Sequence, residues 1–282
     1  MGRFEKRFVK QIYKNSGGFL PTWPLGRQVK LGDIIDLNYR RMEYLGTLRD
    51  PVLNIEITVG EDTSVDSTKW QSKNGVNIVA KAKGEIPREG SNLPVNKAGI
   101  TLNFSKAGGF LFQPSGMRIN RIENLISVRN EAKEKLFRDL FNLRKIYIIT
   151  EVGVVDSYAL TISESKNSKL EVAVEGQTNL STKDLADTSL NLEVKTESSL
   201  DFNTIGTKGG EIFFKAEKLV LKQDEKEELL IRKPELRNIQ EDYLSSFLEK
   251  DIINQKGIDK LFDFKSLTMD DLEVLTGDEN VD

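Results

Sequence analysis

The chain contains no cysteine and no histidine among its 282 residues. Zero cysteine excludes a disulfide scaffold and a thiol nucleophile, and fits a reducing compartment. Zero histidine removes the side chain most often used as general base, zinc ligand or triad member. Any chemistry must therefore rest on carboxylates, lysine and hydroxyls, which lowers the expectation of an enzyme. Long hydrophobic runs are also missing: no stretch reaches the length of a membrane helix, and the N-terminus lacks the apolar core of a signal peptide. A soluble, intracellular protein is the expectation. Gly2 suggests myristoylation, but Lys6 stands where that motif needs Ser or Thr.

What is present is an ordinary globular composition, 38% hydrophobic and 30% charged, long enough for one large domain or two. The net charge of −3 conceals a polarity. Residues 221–282 hold 9 Lys+Arg against 17 Asp+Glu, a charge of −8, which leaves residues 1–220 at +5. A basic body prefers anionic partners, and its own tail is the nearest one.

Both ends read as amphipathic helix. In 3–14, Phe4, Phe8 and Ile12 recur every four residues, surrounded by Arg3, Lys6, Arg7, Lys10 and Lys14 with only Glu5 opposing them. That pattern is a candidate membrane-surface helix. A Pro-rich stretch around Trp23 follows, reading mainly as a plug on the core edge. Short strands are expected at 29–37 and 42–48. Alternation then marks 52–59 (Leu53, Ile55, Ile57), 76–83 (Ile78, Ala80) and 97–104 as half-buried antiparallel strands. The period switches to helical over 122–143 through Val128, Ala132, Leu136 and Leu140. Strands resume from Ile146 into 155–163 (Tyr158, Leu160, Ile162). The loop 165–168 leads to 169–175 (Leu170, Val172, Val174), and 189–195 and 211–221 follow.

The whole is an α+β pattern: a central twisted, mostly antiparallel sheet with one long helix, plus a C-terminal helical tail. The segmentation places a body at 1–222, a charged linker broken by Pro234 at 223–235, and an acidic tail at 236–282. Its helix carries Leu236, Ile239, Tyr243, Phe247 and Leu248. Thr268 and Asp271 form a capping box ahead of Leu272 and Leu275.

Little here carries chemistry. Asp187 ahead of Glu193-Val194-Lys195 has the outline of a metal-dependent nuclease core, although alternating charges on an exposed strand produce the same string by default. Gly108-Gly109 and Gly209-Gly210 lack phosphate-loop spacing and read as turns. The two alternating pairs, 52–59 with 76–83 and 155–163 with 169–175, have roughly the length a tilted strand needs to cross a bilayer.

The order of these segments resembles the gasdermin family of pore-forming proteins, including its bacterial members. The likeness runs over residues 1–221. It rests on the basic first helix, the Pro24-Leu25 loop leading to Leu45-Gly46-Thr47-Leu48, the long helix feeding Ile146-Tyr147-Ile148-Ile149-Thr150-Glu151-Val152, and the late strand Ile212-Phe213-Phe214-Lys215-Ala216-Glu217-Lys218-Leu219. The chain departs from the family in lacking both the N-terminal cysteine of bacterial members and the large repressor domain of animal members. The resemblance implies a non-enzymatic, cofactor-free protein, silent in the cytoplasm while its tail is docked. An activating protease removes the tail, and the body then assembles as a homo-oligomeric β-barrel in the anionic plasma (inner) membrane, with cell death as in anti-phage defence. No nucleic acid is implied. In that picture Arg3, Phe4, Lys6, Arg7, Phe8, Lys10, Ile12 and Lys14 dock on lipid, each cation contributing about 1 kcal/mol. The two alternating pairs insert, and the apolar tail residues inhibit. A structural assembly subunit with a docking tail, and the Mg²⁺-dependent nuclease, are the alternatives.

Overall fold

The computed structural model describes residues 3–22, 27–38, 41–65, 70–71, 75–139, 146–163, 165–196, 200–239, 248, 253, 256–269 and 271. The chain folds as two compact units interleaved in sequence. The first comprises Met1–Gln28, Thr63–Ile119 and Gly153–Phe213; the second comprises Val29–Asp62, Asn120–Val152 and Phe214–Asp282. In chain order the elements are α1 (Arg3–Asn15), β1 (Leu20–Pro21), β2 (Asp33–Asn38), β3 (Arg41–Thr47), β4 (Val59–Val65), β5 (Trp70–Gln71), β6 (Val76–Lys81) and β7 (Ala98–Phe104). They continue with β8 (Phe110–Ser115), β9 (Met117–Ile122), α2 (Leu125–Asp139), β10 (Ile146–Ser163), β11 (Ser168–Val174), β12 (Leu192–Thr196), β13 (Leu200–Leu221), α3 (Gln223–Arg232) and β14 (Phe262–Ser266). Most strands pair antiparallel, in keeping with the α+β expectation.

The first unit is layered. One sheet runs β12-β11-β7-β6. The other layer holds β5, β8 and the later part of β10, strands of a ten-stranded sheet, with Leu160 opposite Phe112 and Ala159 opposite Gln113. Side chains alternate across a strand, so β8 and β10 serve two cores at once. Leu111 and Ala159 meet Ile100, Leu102, Leu170 and Val172 of the four-stranded sheet. On the other face, Phe112 packs edge-on against Phe213 at 5.3 Å between centroids, and Phe8 of α1 packs edge-on against Phe110 at 5.1 Å.

In the second unit β10 pairs with β2 and β2 with β3, while β13 lies beside β10 and carries β14 on its far side. Helix α2 buries Val128, Ala132 and Leu136 as its spacing requires. Leu140, Phe137, Phe141 and Leu143 of the expected helix fall outside the described side chains.

The alternating segment 52–59 is not a strand paired with 76–83. Only Val59 belongs to a strand, and β6 pairs with β7 instead. Leu53 and Ile55 are buried as the period implies, but Asn54 takes a left-handed φ of +46°, which ends any ladder. The backbone finds partners elsewhere. Asn124 donates from Nδ2 to the Glu56 carbonyl at 3.0 Å and accepts from the Thr58 amide at 2.8 Å, while Lys135 donates to the Asn54 carbonyl at 3.1 Å.

Nor do 155–163 and 169–175 form a hairpin. They are consecutive in sequence yet belong to opposite sheets of the first unit, with β11 held between β7 and β12. The loop at 165–168 turns the chain from one layer to the other, with Asn167 at a φ of +65°. The segment 223–235, expected as a linker, forms α3 and a 3₁₀ turn (Pro234–Asn238) that bury Leu229 and Leu236. In the expected helix 236–253, the first residues belong to this 3₁₀ turn. Trp23, Tyr243, Phe247, Leu272 and Leu275 lie outside the described residues.

Replacing Asn124 with Ala removes both hydrogen bonds to the 56–58 backbone. About 1 kcal/mol of stability should be lost, the usual net value for partly exposed bonds. Urea unfolding with an unchanged slope would report it; an unchanged midpoint would show that solvent satisfies this segment.

Candidate functional site

The four-stranded sheet of the first unit has a mainly apolar and a mainly polar face. Across strands, Ala80, Ile100, Val172 and Val194 form one row and Ile78, Leu102 and Leu170 the next. Ile100, Leu102, Leu170 and Val172 enter the core between the layers, with Ile78 packed against it, while Ala80 and Val194 at the two ends of their row are exposed. The opposite face carries Asn77, Asn103 and Lys169 in one row, Val79, Thr101, Glu171 and Lys195 in another, and Lys81, Gly99, Ala173 and Glu193 in a third.

A half-buried sheet ordinarily gives its polar face to water. Here the 82–97 connection lies over it. Leu93 sits so close to the sheet that a Cβ at position 99 would stand 2.8 Å from its methyls, which is why Gly99 occupies the strand there. Lys81 is 6% exposed. Its ammonium donates to the carbonyls of Lys97 at 2.7 Å, Pro94 at 2.9 Å and Ala82 at 3.2 Å. Glu171 is fully buried and accepts from the Asn92 amide at 3.1 Å and from Lys169 at 2.9 Å. Burial pushes the Glu171 carboxyl upward, but hydrogen bonds from Lys169, Ser91 and Asn92 outweigh it and hold the group below its ordinary value. A buried charge needs such partners, and Lys81 and Glu171 have theirs from the overlying loop and from Lys169.

The second unit binds its own tail. β14 pairs antiparallel with β13, Leu219 opposite Phe264 and Leu221 opposite Phe262. The Leu267 amide continues the ladder to the Ala216 carbonyl at 2.8 Å, and the Lys222 amide donates to Leu261 at 2.9 Å. Beneath the strands, Leu219, Leu221, Leu229, Leu236, Leu261 and Phe262 form a core, with Ile239, Leu248, Ile253 and Phe264 packed against it. Charge assists at two points. Lys133 of α2 approaches Asp263 at 3.7 Å, and Lys218 of β13 meets Asp271 at 2.5 Å with both side chains at most 10% exposed. Asp271 also accepts from the Thr268 amide and hydroxyl, completing the capping box. Burial raises this carboxyl, but Lys218 and Thr268 prevail and hold it below 3.8.

Of the expected docking residues, Phe8 and Ile12 are fully buried and serve the core of the first unit, while Lys10 and Lys14 are exposed. The apolar stripe is thus packed in this state because Phe110 and its neighbours need a cover. The side chains of Arg3, Phe4, Lys6 and Arg7 lie outside the described ones. Among the expected inserting residues, Ile78, Ala80, Leu170, Val172 and Val174 belong to the four-stranded sheet. Tyr158, Leu160 and Ile162 belong to the opposite layer, and Leu53, Ile55 and Ile57 to the irregular segment held by Asn124. Sequence reasoning missed the 82–97 cover and β14. The one signal for the first was charge inside strands, Lys81 and Glu171, at positions that a loop then buries.

The nuclease-like string is engaged otherwise. Asp187 accepts from the Ser189 amide and hydroxyl at 2.8 and 2.7 Å, and Glu193 is bound by Lys97.

The Lys218–Asp271 pair gives a pH dependence of defined sign. Because the folded carboxyl titrates below its unfolded value, its stabilisation is complete above the ordinary 3.8 and is lost as pH falls through the lower folded value. Asp271→Asn should therefore unfold at lower urea than the parent at pH 6, with the gap closing toward pH 3. A constant gap would assign the loss to the amide's shape and not to charge.

No protein-family model matches the chain, and no curated protein matches it. Solved structures do. A search of them finds similarity to the gasdermin A3 membrane pore, determined by cryo-EM, at 11% identity over 79% of this chain and 91% of that one, with a TM-score of 0.32. It also finds similarity to a bacterial gasdermin from Bradyrhizobium tropiciagri, at 11% identity over 74% and 85% of the two chains, again with a TM-score of 0.32.

Proposed function

We propose that this chain is an autoinhibited pore-forming protein of gasdermin type, in which the segment after residue 222 restrains the body and proteolysis between β13 and β14 releases it. The observation that carries the reading is the stored polar face. A four-stranded antiparallel sheet has one mainly apolar face and one mainly polar face, broken by Ser168 on the first and Val79 on the second, and its own 82–97 loop covers the polar one around Lys81 and Glu171. A membrane barrel needs that division, with apolar residues toward lipid and polar residues toward the lumen. Among the described residues no helix is long and apolar enough to cross a membrane.

The pairing revises which strands insert. The hairpins are β6–β7 and β11–β12, adjacent through β7 and β11. The lipid-facing set becomes Ile78, Ala80, Ile100, Leu102, Leu170, Val172, Val174 and Val194. Each strand is six or seven residues or shorter, so the connecting segments 82–97 and 175–191 lengthen the hairpins to the nine to eleven or so residues a crossing takes. Unstrapping the polar face accompanies that extension. Lys10 and Lys14 of α1, with Arg3, Lys6 and Arg7, draw the body to anionic lipid. The body assembles with further copies of itself, and loss of membrane integrity kills the cell, as in anti-phage defence.

The test is a full chain with a protease-recognition sequence replacing 241–246. Cutting it in the presence of anionic vesicles should release an entrapped dye at least tenfold faster than leaving it intact. Negligible release from cut and intact protein alike would remove the pore reading and favour an assembly subunit that uses its tail for docking.

A further inference from the structure

β14 stands where a sheet would otherwise end, and the same sheet of the second unit ends on its other side at β3. Among the described strands, β3 pairs only with β2. It exposes Tyr44 (53%) and Leu45 (50%), and a register shift opposite Ile34/Ile35 leaves Leu45 as an extra residue between Tyr44 and Gly46. An apolar strand edge of this kind is a template for another strand.

Three features identify what fits it. The first is direction. β3 is antiparallel to β2, and β2 to β10. β13 is antiparallel to β10, since Thr150 bonds the Lys215 carbonyl while Val155 approaches Gly209. The two outer strands, β3 and β13, therefore run in opposite senses. If a second copy is placed beside the first by rotation about one axis, its β13 lies antiparallel to the first copy's β3, the same sense in which β14 now sits on β13. The second feature is pattern. β14 presents Phe262-Asp263-Phe264 and β3 presents Met42-Glu43-Tyr44, apolar, acidic, aromatic in the same chain direction. The sidedness agrees as well: Phe262 and Met42 are buried while Asp263 and Glu43 are exposed. The third is extent. β14 covers the five residues Glu217–Leu221, and β3 is seven residues long.

We infer that β14 is a stand-in for the β3 strand of a neighbouring copy. Once it leaves, the 217–221 edge of β13 takes β3 of the next molecule in the register that β14 vacates. That places Glu43 opposite Val220 and Tyr44 opposite Leu219. The contact is head-to-tail, so it propagates and closes into a ring when the rotation permits. This rests on the pore-forming reading and gives its assembly step two named edges. The tail then blocks assembly by occupying the binding edge itself, and not through charge alone.

The chain has no cysteine, so introduced pairs report without background. Within one copy positions 43 and 220 lie three strand spacings apart, about 14 Å, beyond the roughly 7 Å limit for a disulfide. Any bond between them is therefore intermolecular. The protein is Glu43→Cys/Val220→Cys in the full chain, with the cleavable 241–246 sequence, cut on anionic vesicles under mild oxidation and run on a non-reducing gel. The expected result is a ladder of dimers, trimers and higher species after cutting, none before, and none from either single variant. Dimers from a single variant would mean a symmetric contact and overturn the proposal. Dye release without a ladder would overturn the proposal and leave the pore reading intact. A ladder without dye release would support these edges and remove the pore reading, and neither would remove both. Tyr44→Cys/Leu219→Cys, on the opposite face of the same strands, repeats the test should Val220→Cys fail to fold; it should give the same ladder.

Discussion

The outward backbone groups of β13 at Glu217–Leu221 must find partners or face water, and β14 supplies them. Much of the second unit follows from that pairing. The β13–β14 ladder brings Phe262 and Leu261 over Leu219 and Leu221, so the tail closes a small core that would otherwise be bare. It also places Asp263 near Lys133 of α2, and the chain beyond it returns Asp271 to Lys218. The ion pairs are consequences of the strand, since they lie where the ladder delivers the carboxylates. Removing one partner of the Lys218–Asp271 pair leaves a nearly buried charge, which typically costs about 3–5 kcal/mol, so the pair registers the tail as well as holding it.

The first unit solves a different problem with the same economy of parts. Its four-stranded sheet has too much charge on one face to be covered by an apolar layer. The 82–97 connection instead offers carbonyls to Lys81 and an amide to Glu171. Those contacts are specific, and they are of the kind that water can replace. The cover is local: Lys81 and Glu171 are buried beneath it, while Asn77, Glu193 and Lys195 of the same face stay exposed.

How far the sequence was legible depends on the kind of signal. Period reports which residues face a core, and α1, α2, β7 and β11 followed it. The capping box at Thr268 was legible because both of its partners lie within four residues. Period is silent about partners. Leu53 and Ile55 alternate and are buried, yet Asn54 bends the segment out of any ladder and Asn124, 66 residues from Thr58, holds it. Likewise 155–163 and 169–175 look like a hairpin because four polar residues join them, whereas the stacking of Ala159 on Leu170 and its neighbours sets them in opposite layers. β8 and β9 were hidden by Gly108, Pro114 and Gly116, and β14 by its charged surroundings. The apolar tail residues Leu236, Ile239 and Leu248 were legible and do join the small core of the second unit, while the strand that reaches β13 was not.

The most direct test of this account is amide hydrogen exchange of the intact chain at neutral pH, resolved to β13 and β14. If β14 seals the β13 edge, the amides of Phe262–Ser266 that face β13 exchange slowly, and those of Glu217–Leu221 that face β14 gain speed once the chain is cut and the tail displaced. Unprotected exchange throughout Phe262–Ser266 in the intact chain, with β13 slow regardless of the cut, would contradict the claim that the tail holds this edge.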